Sequence, residues 1–349
     1  MLMQGLILRV LLLTDFFYPR YGGVATHVHG LSKSLRLYTN SFEPIILTSA
    51  GGKNTVDFFD EIPVVRYPYS IETTLMFNLE RVTRRLKYIV KAIKPDIMHV
   101  HHAFSPMGLS VPWISKSLKI PALLTNHSVP IGYYVTKRIW YNLGEFLRTY
   151  SLLKSLRHYK HVIAVSRVAA DFISKLYPGK ITIIPNAIFL EEFNINASRD
   201  ELGISKNEYV VLMVGRASIK KGYELAILSM REVIKEIENA HLYIIGLSGF
   251  QRNLILRMAK LLNIEKNVHV SGFVPREKLI KYYKTADVFL HAAYGGESFG
   301  IVLLEAMAAG LPIISTHGDG LKHVLGNSGA GICVDYPSPK IISKALIKV

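Results

Sequence analysis

The chain has 349 residues, a length that predicts two domains at roughly 150 residues each. Half the residues are hydrophobic and 19% are charged, which excludes wholesale disorder. Cys333 is the single cysteine, which excludes a disulfide scaffold and fits a reducing compartment or a hot habitat, and the net charge of +16 points to an anionic partner.

In chain order, Leu6–Leu13 is the most apolar stretch near the start, and Arg9 interrupts it. It is too short to span a bilayer, and no small-residue cleavage site follows it, so it reads as a first buried strand rather than a signal peptide. Further strands are expected at Pro44–Leu47, Val64–Tyr67, Ile97–Val100, Ala122–Thr125, Val162–Val165 and Ile181–Ile184. Helical patterns lie between most of them, at Val24–Leu37, Glu72–Ile93 and Val168–Leu176. Near-continuous apolar strands alternating with helices predict an α/β fold with a parallel sheet covered on both faces.

A polar, acidic, weakly periodic stretch around 190–207 reads as a linker. Residues 1–189 and 208–349 are then two doubly wound, Rossmann-like domains. In the second, strands are expected at Val210–Val214, Leu242–Ile245, Val268–Val270, Val288–Leu290, Ile313–Ile314 and Gly331–Val334. Helices are expected at Lys221–Ile237, Gln251–Leu262, Arg276–Lys284 and Ile301–Ala309. Ligands of such folds sit at the carboxyl ends of the strands, so a cleft between two such domains is the expected site.

The charge is uneven: residues 1–189 carry a net +13 and the remainder +3. Arg81 to Lys94 and Arg148 to Lys160 concentrate it on helical patterns, a face suited to anionic lipid headgroups or equally to plain solvation. No nucleic-acid module is recognisable, so nucleic acid is not an expected partner.

Several short motifs carry chemistry. Gly22-Gly23 precedes a helix, where backbone amides can approach a phosphate, although such pairs more often make plain turns. Arg216 and Lys221 flank one strand-to-helix loop and suit a diphosphate. Glu297 lies in a loop after an apolar strand, and Glu305 falls about two turns into the helix that starts near Phe299, facing inward. A carboxylate there needs a partner or hydroxyls, and ribose would supply hydroxyls. The amides of Phe299, Gly300 and Ile301 stand at that helix start, where an anion can be held. His99-Val100-His101-His102 suggests a metal cluster, but no Cys, Asp or Glu joins it at ligand spacing, so packed or cleft-lining histidines are the better reading and no metal is expected. Cys333 reads as inert and buried, and Asp15 as shaping the cleft without a catalytic part.

The run from Glu297 to Pro312, with seven residues between Glu297 and Glu305, resembles the Glu-x7-Glu signature of retaining glycosyltransferases with the GT-B fold. Gly22-Gly23-Val24, Ile184-Pro185-Asn186, Gly215-Arg216 with Lys221-Gly222, and Gly272-Phe273-Val274 recur in the order of glycosyltransferase family 4 (group 1), and the chain is similar to its phosphatidylinositol mannosyltransferase-like branch. The resemblance implies a hexosyl group passed from a nucleotide-diphosphate sugar to an acceptor sugar, lipid or polyol with retention. It implies no metal and no cofactor beyond the donor itself. The first domain is then the acceptor side and the second the nucleotide-sugar side. Gly22, Gly23, Arg216 and Lys221 would border the diphosphate, Glu297 the sugar, Glu305 the ribose and the Val274 segment the base. His127, after a strand, would touch the transferred sugar. A cytoplasmic enzyme, peripheral on the inner face of the cell membrane, follows. The competing readings are a non-catalytic basic binding protein and a sugar-nucleotide epimerase on the same fold.

The chain departs from the family pattern at two motifs. Ala187 stands where the family has glycine after Pro-Asn, which makes Asn186 a hinge-side structural residue. Gly318 to His323 lacks the family's glutamate. The family usually continues with further helices beyond the position of Val349.

Overall fold

The computed structural model describes residues 7–20, 22–49, 52–71, 74, 78–129, 155–316, 324–326 and 328–349. The chain forms two compact units, the first ending at Asn186 and the second running Ala187–Val349.

The first unit contains β1 (Leu8–Thr14), α1 (Gly23–Tyr38), β2 (Phe42–Thr48), β3 (Thr55–Phe59), β4 (Ile62–Arg66), α2 (Leu79–Ile93), β5 (Ile97–His101), α3 (Pro106–Leu118), β6 (Ala122–Asn126), β7 (His161–Ala164), α4 (Arg167–Ile173) and β8 (Ile181–Ile183). Its sheet runs β3-β4-β2-β1-β5-β6-β7-β8. β1 is central, and Leu11, Leu12 and Leu13 are fully buried, as a strand covered on both faces requires. Ala25 and Val28 of α1 cover one face against Val10, Leu12, Ile46 and Val64.

All of its strand pairs are parallel except β3–β4, a hairpin that the sequence reading missed. Its turn is Asp60-Glu61, with φ of 44° and 62°, in place of the Asn-Gly or Asp-Gly pairs that announce such turns. In α2, Val82, Leu86 and Val90 are buried on one stripe, while Arg81, Arg84, Arg85 and Lys91 are exposed. Of the helix expected over 72–93, residues 72, 73 and 75–77 lie outside the described residues, and the helix is given as Leu79–Ile93. Of the second basic segment, residues 148–154 lie outside the described residues.

The second unit contains β9 (Tyr209–Val214), α5 (Tyr223–Glu236), β10 (Ala240–Ile245), α6 (Gly249–Leu261), β11 (Val268–Ser271), α7 (Arg276–Thr285), β12 (Val288–His291), α8 (Ile301–Ala308), β13 (Ile313–Thr316), β14 (Gly331–Val334) and α9 (Pro339–Lys348). Its all-parallel sheet runs β11-β10-β9-β12-β13-β14. Side-chain alternation splits the core in two: Val211, Met213, Leu242 and Ile244 face one layer, and Val210, Leu212, Tyr243 and Ile245 face the other.

Strand order reverses between β1 and β5 in one sheet and between β9 and β12 in the other. Connections from neighbouring strands leave to opposite faces there, opening a crevice at the strands' carboxyl ends.

Residues 190–207, expected as a linker, fold onto the second unit. Phe193 and Ile204 are buried in its core. Arg199 donates to the carbonyls of Thr285 and Glu208 at 3.1 and 2.7 Å and to Asp287 Oδ2 at 2.7 Å. Asp287 Oδ2 in turn accepts from Val210 N at 2.7 Å. Cys333, expected to be buried, is only half-buried, because β14 is an edge strand. No helix among the described residues is long and apolar enough to cross a membrane.

The Arg199 clamp generates a stability prediction. Arg199→Ala lowers unfolding free energy by about 2 kcal/mol, since it strips charged hydrogen bonds from carbonyls and a carboxylate. Chemical denaturation checks this, and an unchanged midpoint would show that the segment adds nothing to the second unit.

Candidate active site

In the second unit, the loops after β9 and β12 flank the switch point. Gly215 and Arg216 follow β9, and Tyr223 Oη pins this turn by donating to Gly215 O at 2.7 Å and Arg216 O at 3.2 Å. Gly222 has φ of 61° and caps α5; a Cβ there would lie 2.0 Å from Ala292 O, so only glycine lets the two loops approach.

Across this approach Lys221 Nζ meets Glu297 Oε1 at 2.6 Å, with the two side chains 18% and 17% exposed. Burial pushes the Glu297 carboxyl up, but the Lys221 ammonium and then His291 and Lys220 outweigh it and hold it at about 2. Lys220 Nζ lies 3.5 Å from Gly296 O, and burial together with the Lys221 and Arg216 charges lowers its pKa. His291, at the end of β12, is buried and lowered to about 4 by burial and the Lys221 charge. Sequence reasoning found Arg216, Lys221 and Glu297 but missed Lys220 and His291. Only His291's position at a strand end could have signalled it.

Gly300 has φ of 84° and begins α8 with no side-chain cap, as Gly222 begins α5. Helix-start amides without a side-chain cap are able to take an anion. Phe299 and Ile301 beside Gly300 are buried. Glu305 is 4% exposed, facing inward as its spacing predicts. Its partners, however, are protein groups. Arg276 Nη1 donates to Oε1, and Tyr283 Oη donates to Oε2 at 2.8 Å. Arg276 also donates to Glu192 Oε2 at 3.0 Å and lies over the Phe193 ring. Burial disfavours the Arg276 charge, but Glu305 and Glu192 outweigh it and raise its pKa. Neither Arg276 nor Tyr283 was named from sequence, because they lie on another helix and share no spacing pattern with Glu305. Val274 buries its side chain in the core, while Phe273 beside it is half-exposed. Gly318–His323 lies outside the described residues.

In the first unit Gly22 is extended and caps α1 with no side-chain hydrogen bond, and a Cβ there would meet nothing within 4 Å. Gly23 is exposed at the helix start. His99 and His101 share one face of β5, with ring centroids 4.3 Å apart, as strand alternation predicts. His127 follows β6, and its Nε2 lies 3.3 Å from His101 Nδ1. His27, from α1, completes a group with His101 and His127 whose ligand-type atoms lie within 4.8 Å of one another. Burial lowers all of these imidazoles, His27 to about 4 and His99 to about 3, with His101 and His127 well below the ordinary value. His27 escaped the sequence reading because it sits mid-helix, with no local motif.

Asp15 is fully buried. Tyr69 Oη donates to its Oδ1. Burial raises its pKa to about 6 despite the hydrogen bonds of Ser105 and Tyr69. Asn186 is buried at the end of this unit.

Comparison with known proteins agrees with both halves. Residues 21–192 match the family described as Glycosyltransferase Family 4, and residues 194–349 match Glycosyl transferases group 1. The chain is 28% identical to alpha-monoglucosyldiacylglycerol synthase of Streptococcus pneumoniae, over 89% of this chain and 71% of that one. Among solved structures, sucrose-phosphate synthase from Thermosynechococcus elongatus superposes with a TM-score of 0.80 at 20% identity, covering 98% of this chain and 89% of that one. HepE of Anabaena in complex with UDP-glucose superposes with a TM-score of 0.75 at 16% identity, covering 98% and 89%. These superpositions establish the two-domain GT-B fold.

The Lys221–Glu297 pair generates a pH prediction. The folded carboxyl titrates at about 2, below its unfolded value of about 4.3, so the pair adds stability above that unfolded value and loses it as pH falls through about 2. Lys221→Met removes the compensating charge, costs about 3 kcal/mol at neutral pH and lifts the Glu297 titration above roughly 4. Carbon-13 carboxyl NMR reads both states; a midpoint still near 2 in the variant would mean other groups hold Glu297 ionised.

Proposed function

As the chain belongs to the glycosyltransferases that join a Family 4 half to a group 1 half, we propose that it moves a hexosyl group from a nucleoside-diphosphate sugar to a hydroxyl of a lipid or glycan acceptor, retaining anomeric configuration and using no metal. The observation that carries this reading is the juxtaposition, at one switch point, of Arg216, Lys220, Lys221 and Glu297 with the uncapped starts of α5 and α8.

The chemistry follows from charge. As the glycosidic bond to the donor breaks, negative charge collects on the leaving diphosphate. Lys221 has three N–H donors; one holds Glu297, which leaves two for phosphate oxygens. Arg216 offers a planar fork for a second oxygen pair. Helix-start amides add fixed dipoles that need no reorganisation. Each such contact lowers the barrier by about 3 kcal/mol if it acts like an oxyanion donor.

Glu297, held ionised, accepts from hydroxyls of the transferred sugar. Glu305 has one oxygen on Arg276 and one on Tyr283, and each carboxylate oxygen keeps a further acceptor site for a ribose hydroxyl. Arg276 and Tyr283 therefore act as positioning residues for the ribose. His127, a neutral imidazole, hydrogen-bonds the sugar from the N-terminal unit. The glycines at 22 and 23 and the amides of Phe299, Gly300 and Ile301 border the phosphates, and the Val274 segment lies toward the base. With no positioned nucleophile assigned, the acceptor hydroxyl attacks from the face that the diphosphate leaves.

A lipid acceptor is supported by the diacylglycerol named for the streptococcal relative and by the exposed face of α2. Arg81, Arg84, Arg85, Lys91 and Lys94 are exposed there beside Tyr88, which suits a peripheral seat on an anionic leaflet. The UDP-glucose bound by HepE makes UDP-sugars the first donors to try.

The reading is tested by incubating the protein with UDP-, GDP- and ADP-sugars and vesicles containing diacylglycerol or phosphatidylinositol. Expected are release of nucleoside diphosphate, an α-linked product from an α-linked donor, and no loss with chelator. Arg216→Ala and Glu297→Gln each lower kcat by about 10²–10³-fold. Epimerised free donor without transfer would favour the epimerase, and failure to bind any donor would remove the enzyme reading. Co-sedimentation with anionic vesicles, reversed by salt, checks the membrane seat; equal binding to neutral vesicles would discard it.

A further inference from the structure

We propose that the first unit binds one divalent, nitrogen-preferring cation of the zinc type through His27, His101 and His127, and that the bound ion blocks transfer by occupying His127. The blocking half rests on the part given to His127 above; the binding half does not.

Three imidazoles come from three elements, α1, the end of β5 and the segment after β6, so the fold alone assembles them. Their candidate ligand atoms all lie within 4.8 Å of one another. One pair, His101 Nδ1 and His127 Nε2, is 3.3 Å apart. Zinc–nitrogen bonds of about 2.0–2.1 Å at the tetrahedral angle separate ligand nitrogens by about 3.3–3.4 Å, so this pair already has the spacing of a coordination edge. A ring adjustment of roughly 1.5 Å or less brings the third nitrogen in.

His101, whose ring contacts those of both His27 and His127, is fully buried. No carboxylate joins the group, which disfavours magnesium and calcium and favours zinc, cobalt or nickel. Three ligands leave a fourth position open. His99 stays outside: its Nε2 bonds Thr125 Oγ1 at 2.7 Å, and its ring backs His101.

A second group, Glu208, His241 and His269, also has its ligand atoms within 4.8 Å. Its carboxylate is already engaged, since Tyr243 Oη donates to Glu208 Oε2 at 2.7 Å. It serves as the internal control.

The test titrates the metal-free full chain with cobalt(II) and follows the visible absorption of tetrahedral cobalt. One ion per chain is expected, displaced one-for-one by zinc. His27→Gln and His101→Gln each weaken binding by about tenfold or more, as loss of a ligand should. His99→Gln and His269→Gln leave it within about twofold, since neither is assigned as a ligand. His27 lies on a partly exposed helix face, so its variant remains informative should the His101 variant misfold. No saturable absorption, or absorption that persists without His27 and His101 and vanishes with His269→Gln, overturns the site. Zinc at saturating level is expected to cut transfer about 10²-fold, restored by chelator, if coordination removes one catalytic contact. Saturation with undiminished transfer overturns the blocking half. Absence of transfer in the metal-free chain with every donor counts against the proposed function instead, and leaves the cobalt titration readable.

Discussion

A carboxylate at the depth of Glu297 stays charged chiefly because an ammonium stands 2.6 Å away. That single pairing ties the loop after β9 to the loop after β12, and the Gly222 approach to Ala292 is the backbone counterpart of the same contact. Around it the unit gathers cations, Lys220 beside Lys221 and Arg216 at the other end of the same loop, which outnumber Glu297. The surplus positive charge is what a diphosphate would meet.

The pairing is possible because of the parallel sheet beneath it. β9 and β12 are neighbours in space but are separated by two strands and three helices in sequence. Their outgoing connections diverge to opposite faces, so the strand ends are left uncovered where the charges sit. The first unit repeats this device at β1 and β5 with a different content. There the buried groups are imidazoles kept neutral by burial and Asp15, whose carboxyl burial raises to about 6. The second unit thus gathers fixed charges and the first neutral imidazoles.

Glu305 shows how a family signature can understate a site. The spacing places it inward on α8, and it is inward. Yet its charge is balanced by Arg276 of α7, its second oxygen accepts from Tyr283 of the same helix, and Arg276 is shared with Glu192 of the 190–207 segment. The segment is therefore part of the network that holds Glu305. Arg199 and Phe193 anchor it, and a polar, acidic sequence concealed that, because its anchors are single residues rather than a periodic stripe.

The sequence by itself determined the alternation of apolar strands with amphipathic helices, and with it two parallel-sheet units, because strand and helix periodicities are local properties of the chain. It also determined the loop positions of Arg216, Lys221 and Glu297, since strand ends and glycines are local signals. The tertiary structure alone decided which distant groups meet. The Arg276–Glu305–Tyr283 network, the approach of His291 to the Lys221–Glu297 pair, and the joining of His27 to His101 and His127 all depend on crossover connections. Such contacts link residues tens of positions apart, and no spacing rule reaches across a strand order that only the folded sheet defines.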